Sequence, residues 1–168
     1  MSQENKIVKE RVPAKSVLAG RAFKHAFDNE LGGGDRAWLR RADDPQTVGA
    51  FWACFKAAQR EYPGAYAPLY TAVVPLLDLL EQTDDDDLNV GRFLAKHHHK
   101  VALRRVEALF GADDFDELLD NLESLFILLK GSAIDYGCLL ADLSAFDYSH
   151  ESRAQLRQRW AASYFQNT

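Results

Sequence analysis

Apolar side chains recur along most of the chain at the three- and four-residue spacing of an α-helix, and this periodicity limits the folds available to the sequence. The clearest stripe runs through residues 113–130, where leucine and phenylalanine define one face and carboxylates the opposite face. No stretch alternates apolar and polar residues in the manner of a half-buried strand bounded by hairpin turns. The sequence therefore predicts an all-α protein, a helical bundle of about seven to nine helices.

Candidate caps and chain breakers delimit the predicted helices. Asp35 and Thr47 are favourable N-caps for two early helices, Asp113 or Asp114 for the acidic helix, and Ser149 for the last one. Glycine and proline separate these segments. The predicted helical ranges are 16–28, 36–42, 47–62, short pieces within 65–82, parts of 89–111, 113–130, 134–146 and 149–165.

The chain has 168 residues with 47% apolar content, which suits one compact domain or two small lobes. Its N-terminal residues, 1–15, predict a flexible tail. Residues 16–168 predict a single helical domain, which could also be divided into lobes of about 16–82 and 89–168.

Several features indicate the compartment of the protein. The first eleven residues are polar and charged, unlike a signal peptide. The longest apolar run, 70–80, is interrupted by proline and aspartate and is too short to span a bilayer. Cys54 and Cys138 lie in apolar helical patterns, so we expect buried, reduced thiols. The sequence therefore predicts a cytoplasmic protein without membrane contact.

A local excess of positive charge stands out because the formal net charge of the chain is -5. Residues 92–105 contain three histidines, five cations and no carboxylate. Four of the cations recur every four residues, which places neighbours one helical turn apart over roughly 18 Å. This row predicts a surface for a phosphate backbone, and a solvated helix face is the alternative. The five cations are Arg92, Lys96, Lys100, Arg104 and Arg105.

The apolar residues of the same stretch predict a break in the helix. Phe93, Leu94 and Val101 share one side, whereas Val106 and Leu109 share a side rotated by roughly a third of a circle. One straight helix cannot direct both sets to one core. We therefore expect a kink or short turn near residues 97–100, which would divide the basic row between two helix ends.

Some side chains can be assigned to a face of their predicted helix. Arg21 and Lys24 fall on the outer side of the first helix. Each of the three tryptophans, Trp38, Trp52 and Trp160, lies in an apolar stripe. We expect all three in the core, and stacking on nucleic-acid bases is the alternative.

The sequence contains no recognisable catalytic or metal-binding motif. Three adjacent histidines on a helix diverge by about 100° each, so residues 97–99 cannot converge on one ion. The acidic run 84–87 lacks the glycine and terminal glutamate of a calcium loop. The glycines at 32–34 lack the lysine and hydroxyl of a phosphate loop. We therefore expect no enzymatic activity, no metal and no cofactor.

Five segments, taken in order, resemble one known family. They are GDRAWLRRA at 34–42, VGRFLA at 90–95, the segment 104–109 with its leading arginine pair, LLADL at 139–143, and RQRWAASYF at 157–165. Their order and spacing extend over about residues 16–165 and are similar to those of the CasB family. This family is the small subunit of the type I-E CRISPR Cascade complex.

The resemblance implies a non-enzymatic, all-helical subunit, present as two copies in a large RNA-guided DNA-binding assembly. The implied partners are the large subunit, the backbone subunits, a second copy of the chain, crRNA and target DNA. A basic surface would support the crRNA–target region and the displaced strand through contacts that need charge rather than base-edge geometry. The residues carried over from the family are Arg36, Arg40, Arg41, Arg92, Arg104 and Arg105, and more weakly Arg157 and Arg159; Lys96 and Lys100 come from the helical spacing.

Two other functions are compatible with the sequence. One is a helical adaptor that binds only proteins through the acidic face at 113–123; it predicts no dependence on DNA or RNA in a pull-down. The other is a histidine-dependent metalloenzyme, which requires stoichiometric metal in the purified protein.

Overall fold

The computed structural model describes residues 13–168, which contain nine α-helices and confirm the all-α prediction. Residues 1–12 of the predicted tail lie outside the described residues. Within the described part, no helix has both the length and the apolar character needed to cross a bilayer. The helices are α1 (Lys15–Asn29), α2 (Gly33–Arg41), α3 (Gly49–Glu61), α4 (Ala67–Val73), α5 (Val90–Lys96), α6 (Leu103–Phe110), α7 (Phe115–Leu128), α8 (Tyr136–Tyr148) and α9 (His150–Phe165).

Short elements connect the helices. One 3-10 turn, Pro45–Thr47, precedes α3, and another, Val74–Leu76, follows α4. The two-residue strands β1 (Glu81–Gln82) and β2 (Ala133–Ile134) pair in parallel, with Glu81 opposite Ala133. This pairing joins the loop before α5 to the loop before α8.

Buried side chains form one hydrophobic cluster that extends from Ala19 in α1 to Tyr164 in α9. Helix α1 packs along α3 and α8, and α9 packs along α5 and α8. The ring of Phe23 meets Phe51 and Tyr70 edge-on, with ring centres 5.9 and 4.9 Å away. Full burial of such side chains stabilises the fold by about 1.5–3 kcal/mol each.

Two helix crossings require glycine. A Cβ atom at Gly91 would overlap the carbonyl oxygen of Trp160, so α5 approaches α9 more closely than any other residue would allow. At the crossing of α1 and α8, a Cβ atom on Gly20 would lie 2.7 Å from the Cα of Gly137. These contacts bring the helix backbones together where larger side chains would hold them apart.

The predicted caps of α7 and α9 are confirmed. The Asp114 carboxylate accepts a hydrogen bond from the Glu117 N–H at 2.7 Å, and the Ser149 hydroxyl accepts one from the Ser152 N–H at 3.0 Å. Asp116, Glu117 and Asp120 are exposed on the outer face of α7, as the stripe predicts. Carboxylates in the first turn also stabilise the helix dipole.

The predicted caps of α2 and α3 were wrong. Helix α2 begins two residues before Asp35, with Gly32 as its N-cap, so Asp35 lies in the first turn. Thr47 ends a 3-10 turn, where its hydroxyl donates to the Asp44 carbonyl oxygen at 2.7 Å. Neither helix has a side-chain hydrogen bond at its N-cap, which is Gly32 in α2 and Val48 in α3.

Asp135 is fully buried where α1, β1 and α8 meet. Its carboxylate accepts hydrogen bonds from Arg21 at 2.7 Å, from the Gln82 side chain at 3.1 Å and from the Asp85 N–H at 3.1 Å. Burial alone would raise the pKa of Asp135, but the hydrogen bonds from Arg21 and Gln82 and the charge of Arg21 hold it below its ordinary value. Ile134 was predicted to begin a helix, but it lies in β2 beside this network.

The outward assignment of Arg21 and Lys24 was wrong. Arg21 pairs with Asp135, and Lys24 is only 3% exposed. The Lys24 ammonium donates to the Asp28 carboxylate at 2.8 Å and to the Leu77 carbonyl oxygen at 2.6 Å. Because α1 is covered by both α3 and α8, its buried face is wider than its apolar stripe, and paired cations fill the remainder.

Most residues predicted to be buried are buried. Cys54 and Cys138 are buried free thiols, and burial raises the pKa of each to about 12. Trp160 is fully buried, as predicted, whereas Trp52 is 38% exposed. Trp38 is 64% exposed, so the prediction of a core position was wrong for this residue.

Candidate nucleic-acid interface

The predicted break in the stretch 89–111 is confirmed. Helix α5 ends at Lys96, a turn covers residues 97–100, and α6 begins at Leu103. Leu94 of α5 and Val106 of α6 are both buried. The two apolar sets therefore reach the core from two separate helices.

The start of α5 is fixed by Asn89, which the sequence analysis did not select. Its side-chain oxygen accepts a hydrogen bond from the Arg92 N–H at 2.9 Å, and its side-chain nitrogen donates to the Ser163 hydroxyl at 2.9 Å. Together with the contact of Gly91 against Trp160, these bonds hold α5 on α9. Asparagine is a favoured N-cap, so the sequence did contain this signal.

Five cations project from α5, the turn and α6, and we call them the α5–α6 basic row. All five are exposed. Within residues 13–168, none of their side chains forms an ion pair or a hydrogen bond. Their charges are therefore available to an external anion. The row consists of Arg92, Lys96, Lys100, Arg104 and Arg105.

The three histidines of the turn have different surroundings. His97 packs edge-on against Phe93, with ring centres 5.1 Å apart. Burial, and then the charge of Lys100, lower the pKa of His97. His98 and His99 are exposed, and their ring centres are 4.0 Å apart. At neutral pH, His97 therefore contributes apolar surface rather than charge.

The acidic run at 84–87 lies in a loop between β1 and α5. Within the described residues, Asp85, Asp86 and Asp87 are the one group of three potential metal ligands whose oxygen atoms lie within 4.8 Å of one another. The backbone of Asp85 is bound to Asp135, which fixes the start of this group. Asp86 and Asp87 are exposed in this loop, and Asp85 is half-buried.

The arginines of α2 differ from those of the basic row. Arg36 donates to the carbonyl oxygens of Asp28 and Leu31 at 3.2 and 2.8 Å, and so binds the C-terminal end of α1. Arg40 pairs with Asp78 at 2.8 Å. Arg41 is exposed, and its Nε donates only to a carbonyl oxygen of its own helix, at 3.2 Å. Of these three side chains, Arg41 alone has neither a carboxylate nor a second helix as its partner among the described residues.

The arginines of α9 also bind other parts of the fold. Arg157 donates to the Ala112 carbonyl oxygen at 2.8 Å and to the Asp113 carboxylate at 3.3 Å. Arg159 pairs with Asp142 at 2.7 Å, and the same carboxylate accepts the Trp160 indole N–H at 2.9 Å. These contacts hold α9 against the α6–α7 loop and α8, which leaves Arg157 a weaker candidate for phosphate binding than the basic row.

The two groups of predicted site residues have different neighbours. Helix α2 packs against α3 and the 3-10 turn Val74–Leu76. Helices α5 and α6 pack against α9 and α7. The structure thus places the basic row on consecutive elements and the arginines of α2 on another part of the molecule.

The comparisons with known proteins address the family and the fold. No curated protein matches the sequence. A chain in the crystal structure of E. coli Cascade bound to a PAM-containing dsDNA target is similar in fold, with a TM-score of 0.62 and 18% identity over 89% of this chain and 97% of that chain. Residues 35–165 match the family model described as CRISPR-associated protein Cse2. This match confirms the resemblance seen in the sequence, because CasB and Cse2 are two names for one family, and the chain therefore belongs to the CRISPR-associated Cse2 family.

Proposed function

We propose that the chain is the non-enzymatic small subunit of a cytoplasmic type I-E CRISPR Cascade complex and that it binds nucleic-acid backbone through the α5–α6 basic row. Membership of the Cse2 family and the likeness to a chain of E. coli Cascade support the assignment to such a complex. Its partners are the large subunit, the backbone subunits, a second copy of the chain, crRNA and target DNA.

The observation that carries this proposal is the set of five exposed cations without a carboxylate partner among residues 13–168. A phosphate neutralised by such a cation releases condensed counterions, which favours binding and makes it dependent on salt. Lysine and arginine on a convex helix surface position a backbone rather than read base edges. Binding without sequence preference suits a subunit whose target is chosen by a guide RNA.

The energetics of strand exchange explain why such contacts would matter. Replacing a DNA duplex by an RNA–DNA heteroduplex and a displaced strand is nearly balanced in free energy. Contacts with the backbone of the displaced strand, or with the crRNA–target region, favour the opened state. Contacts from a row of five cations would therefore favour the opened state, although the chain as a whole is acidic.

The acidic outer face of α7 supports a second candidate function, a helical adaptor that binds only proteins. Asp116, Glu117 and Asp120 are exposed on this face and repel a phosphate backbone. In a Cascade complex, the same face would contact a basic surface of a neighbouring protein. Replacing these three residues by the corresponding amides should weaken co-purification with the other subunits and leave the salt dependence of DNA binding unchanged.

The test of backbone binding is the double variant R104Q/R105Q in the assembled complex. It removes two exposed charges and leaves the core intact. If both residues contact phosphate, the slope of log K against log salt for target DNA should flatten by roughly 1.4–1.8, at 0.7–0.9 per contact.

The matched control is K56Q/R60Q on α3, where both cations are exposed and make no ion pair within the described residues. This variant has the same net charge and should keep the slope of the unmodified complex. Equal flattening in both variants would indicate a bulk-charge effect, and an unchanged slope in R104Q/R105Q would remove the row from the interface.

A further inference from the structure

The three tryptophans of the chain differ in how their indoles are held. The Trp160 N–H donates to Asp142 at 2.9 Å, and the Trp52 N–H donates to the Gln46 carbonyl oxygen at 2.8 Å. The Trp52 ring also packs against Phe51 and Phe55, with ring centres 5.2 and 5.7 Å away. The Trp38 indole makes no hydrogen bond or ring contact within residues 13–168, and Trp38 is 64% exposed. Its indole therefore presents a large apolar face and an unused donor to solvent.

A free guanidinium lies next to this indole. Arg41 follows Trp38 by three residues on α2, which places the two side chains one turn apart on the same side of the helix. Arg41 is exposed and forms no ion pair within the described residues, in contrast to Arg40, which pairs with Asp78. The hydrogen bond from its Nε to the Ala37 carbonyl oxygen leaves its terminal N–H groups available. An aromatic face and an unneutralised cation are thus adjacent on one helix surface.

We propose that Trp38 and Arg41 form a site for single-stranded nucleic acid, in which one base stacks on the indole and a neighbouring phosphate binds the guanidinium. The site rests on the proposed function but lies away from the α5–α6 basic row. Every base has a face that can stack on an aromatic ring, so the site requires an unpaired strand and no particular sequence. Asp35 lies one turn before Trp38, and its carboxylate repels phosphate. The phosphate therefore binds beyond Trp38, next to Arg41.

Charge and shape favour a strand over a protein at this surface. A protein interface with a tryptophan at its centre normally surrounds it with interlocking side chains. Here α2 begins with Gly33 and Gly34, and a Cβ atom on Gly34 would meet nothing within 4 Å. The surface beside the indole is therefore open, and Arg41 supplies a positive charge without an ion-pair partner among the described residues. A base and its phosphate fit such a surface without a complementary shape.

The test compares W38A with the unmodified protein, as the full chain at low salt and in the assembled complex. The probes are a fluorescent 20-nucleotide oligo-dT and an abasic strand of the same length. Stacking of one base contributes about 1–3 kcal/mol by alanine substitution, so W38A should weaken oligo-dT binding roughly five- to 150-fold. Binding of the abasic strand should not change. W38F should retain most of the affinity, and R41Q should flatten the salt slope by about 0.7.

The matched control is Y148A, because Tyr148 is 84% exposed and has Ser144 and Ala145, rather than a cation, one turn before it on α8. It should leave both affinities unchanged. Equal weakening of both strands by W38A, or no weakening, overturns the site. Intact strand binding combined with release of the W38A chain from the complex assigns the indole to a protein contact and also overturns it. Failure of the proposed function would give a different result. The unmodified protein would then bind neither strand, alone or in the complex, and R104Q/R105Q would leave the salt slope unchanged.

Discussion

Helices α2 and α5 both present arginines in family motifs, but they use them differently. In α2, Arg36 binds carbonyl oxygens at the end of α1, and Arg40 pairs with Asp78. In α5 and the adjoining turn and α6, no cation has a carboxylate partner among the described residues. A motif rich in arginine therefore does not by itself mark a binding surface. The proposed binding surface rests instead on cations without a carboxylate partner, and only the folded chain reveals which these are.

The largest expected effect comes from the ion pair of the fully buried Asp135 with Arg21. Asp135→Ala would leave Arg21 without its carboxylate, and breaking such a pair costs about 3–5 kcal/mol in the free energy of unfolding. Chemical denaturation monitored by circular dichroism measures this loss. The control Asp84→Ala removes a carboxylate that is 67% exposed and 3.8 Å from Arg21, and should cost under about 1 kcal/mol. Similar losses in both variants would show that burial does not distinguish the two carboxylates.

The same pair gives a pH dependence with a defined sign. The folded-state pKa of Asp135 is lowered, so its contribution is present above the unfolded value of about 3.9 and is lost as the pH falls through the folded value. The difference in stability between the unmodified protein and Asp135→Ala should therefore shrink when the pH is lowered from 7 to below about 4. If the difference in stability between the two proteins stayed constant from pH 7 to below about 4, Asp135 would not be ionised in the folded protein as described.

The position of the basic row depends on the crossing of α5 and α9. Gly91→Ala would force the backbone of α5 away from Trp160, and overpacking of this kind costs about 1–3 kcal/mol. The control Gly34→Ala adds the same methyl group in open space on α2 and should be neutral or stabilising by up to about 1 kcal/mol. Thermal unfolding of both variants measures the difference, and equal values would contradict a tight crossing.

A direct comparison of the two kinds of arginine uses Arg36→Gln and Arg104→Gln. The first removes hydrogen bonds from a charged group to the end of α1 and should lower the free energy of unfolding by about 1.5 kcal/mol, with the salt slope of DNA binding unchanged. The second should leave stability within about 0.5 kcal/mol and flatten the slope by roughly 0.7–0.9. The reverse pattern would exchange the roles assigned to the two helices.

The smallest effect concerns His97 in the turn of the row. Its folded-state pKa is lowered, chiefly by burial, so the folded state favours the neutral ring. Stability should fall slightly as the pH drops from 7.5 through the unfolded value of about 6.5 towards the folded value. His97→Gln should remove this part of the pH dependence, and an identical pH profile in the variant would exclude His97 as its source.

Periodicity predicted the parts of this fold in which one face decides burial. The stripe of α7, the caps Asp114 and Ser149, and the turn after α5 all follow from apolar spacing and local hydrogen bonding. The family also followed from the order of the motifs. Local patterns of this kind depend on residues a few positions apart, which a sequence displays directly.

The pairing of charges could not be predicted in the same way. Arg21 and Asp135 are 114 positions apart, and Arg40 and Asp78 become partners only when α2 packs on the turn after α4. The exposure of Trp38 likewise depends on how little of α2 the rest of the chain covers. The α5–α6 basic row was identifiable because its stretch contains no carboxylate, although distant acids could still have paired with it.

The hold of α9 on α5 has a consequence for the energetics of binding. Asn89 is hydrogen-bonded to Ser163, and Gly91 lies directly on the backbone of Trp160, so contacts within the chain order the start of the row before the proposed binding of a strand. Little conformational entropy of the main chain is then lost on association, and only the long side chains need to be immobilised, at about 0.5–1.5 kcal/mol each. Because the main chain of the row is already ordered, less of the favourable free energy of counterion release is offset by lost entropy, and the net affinity is higher.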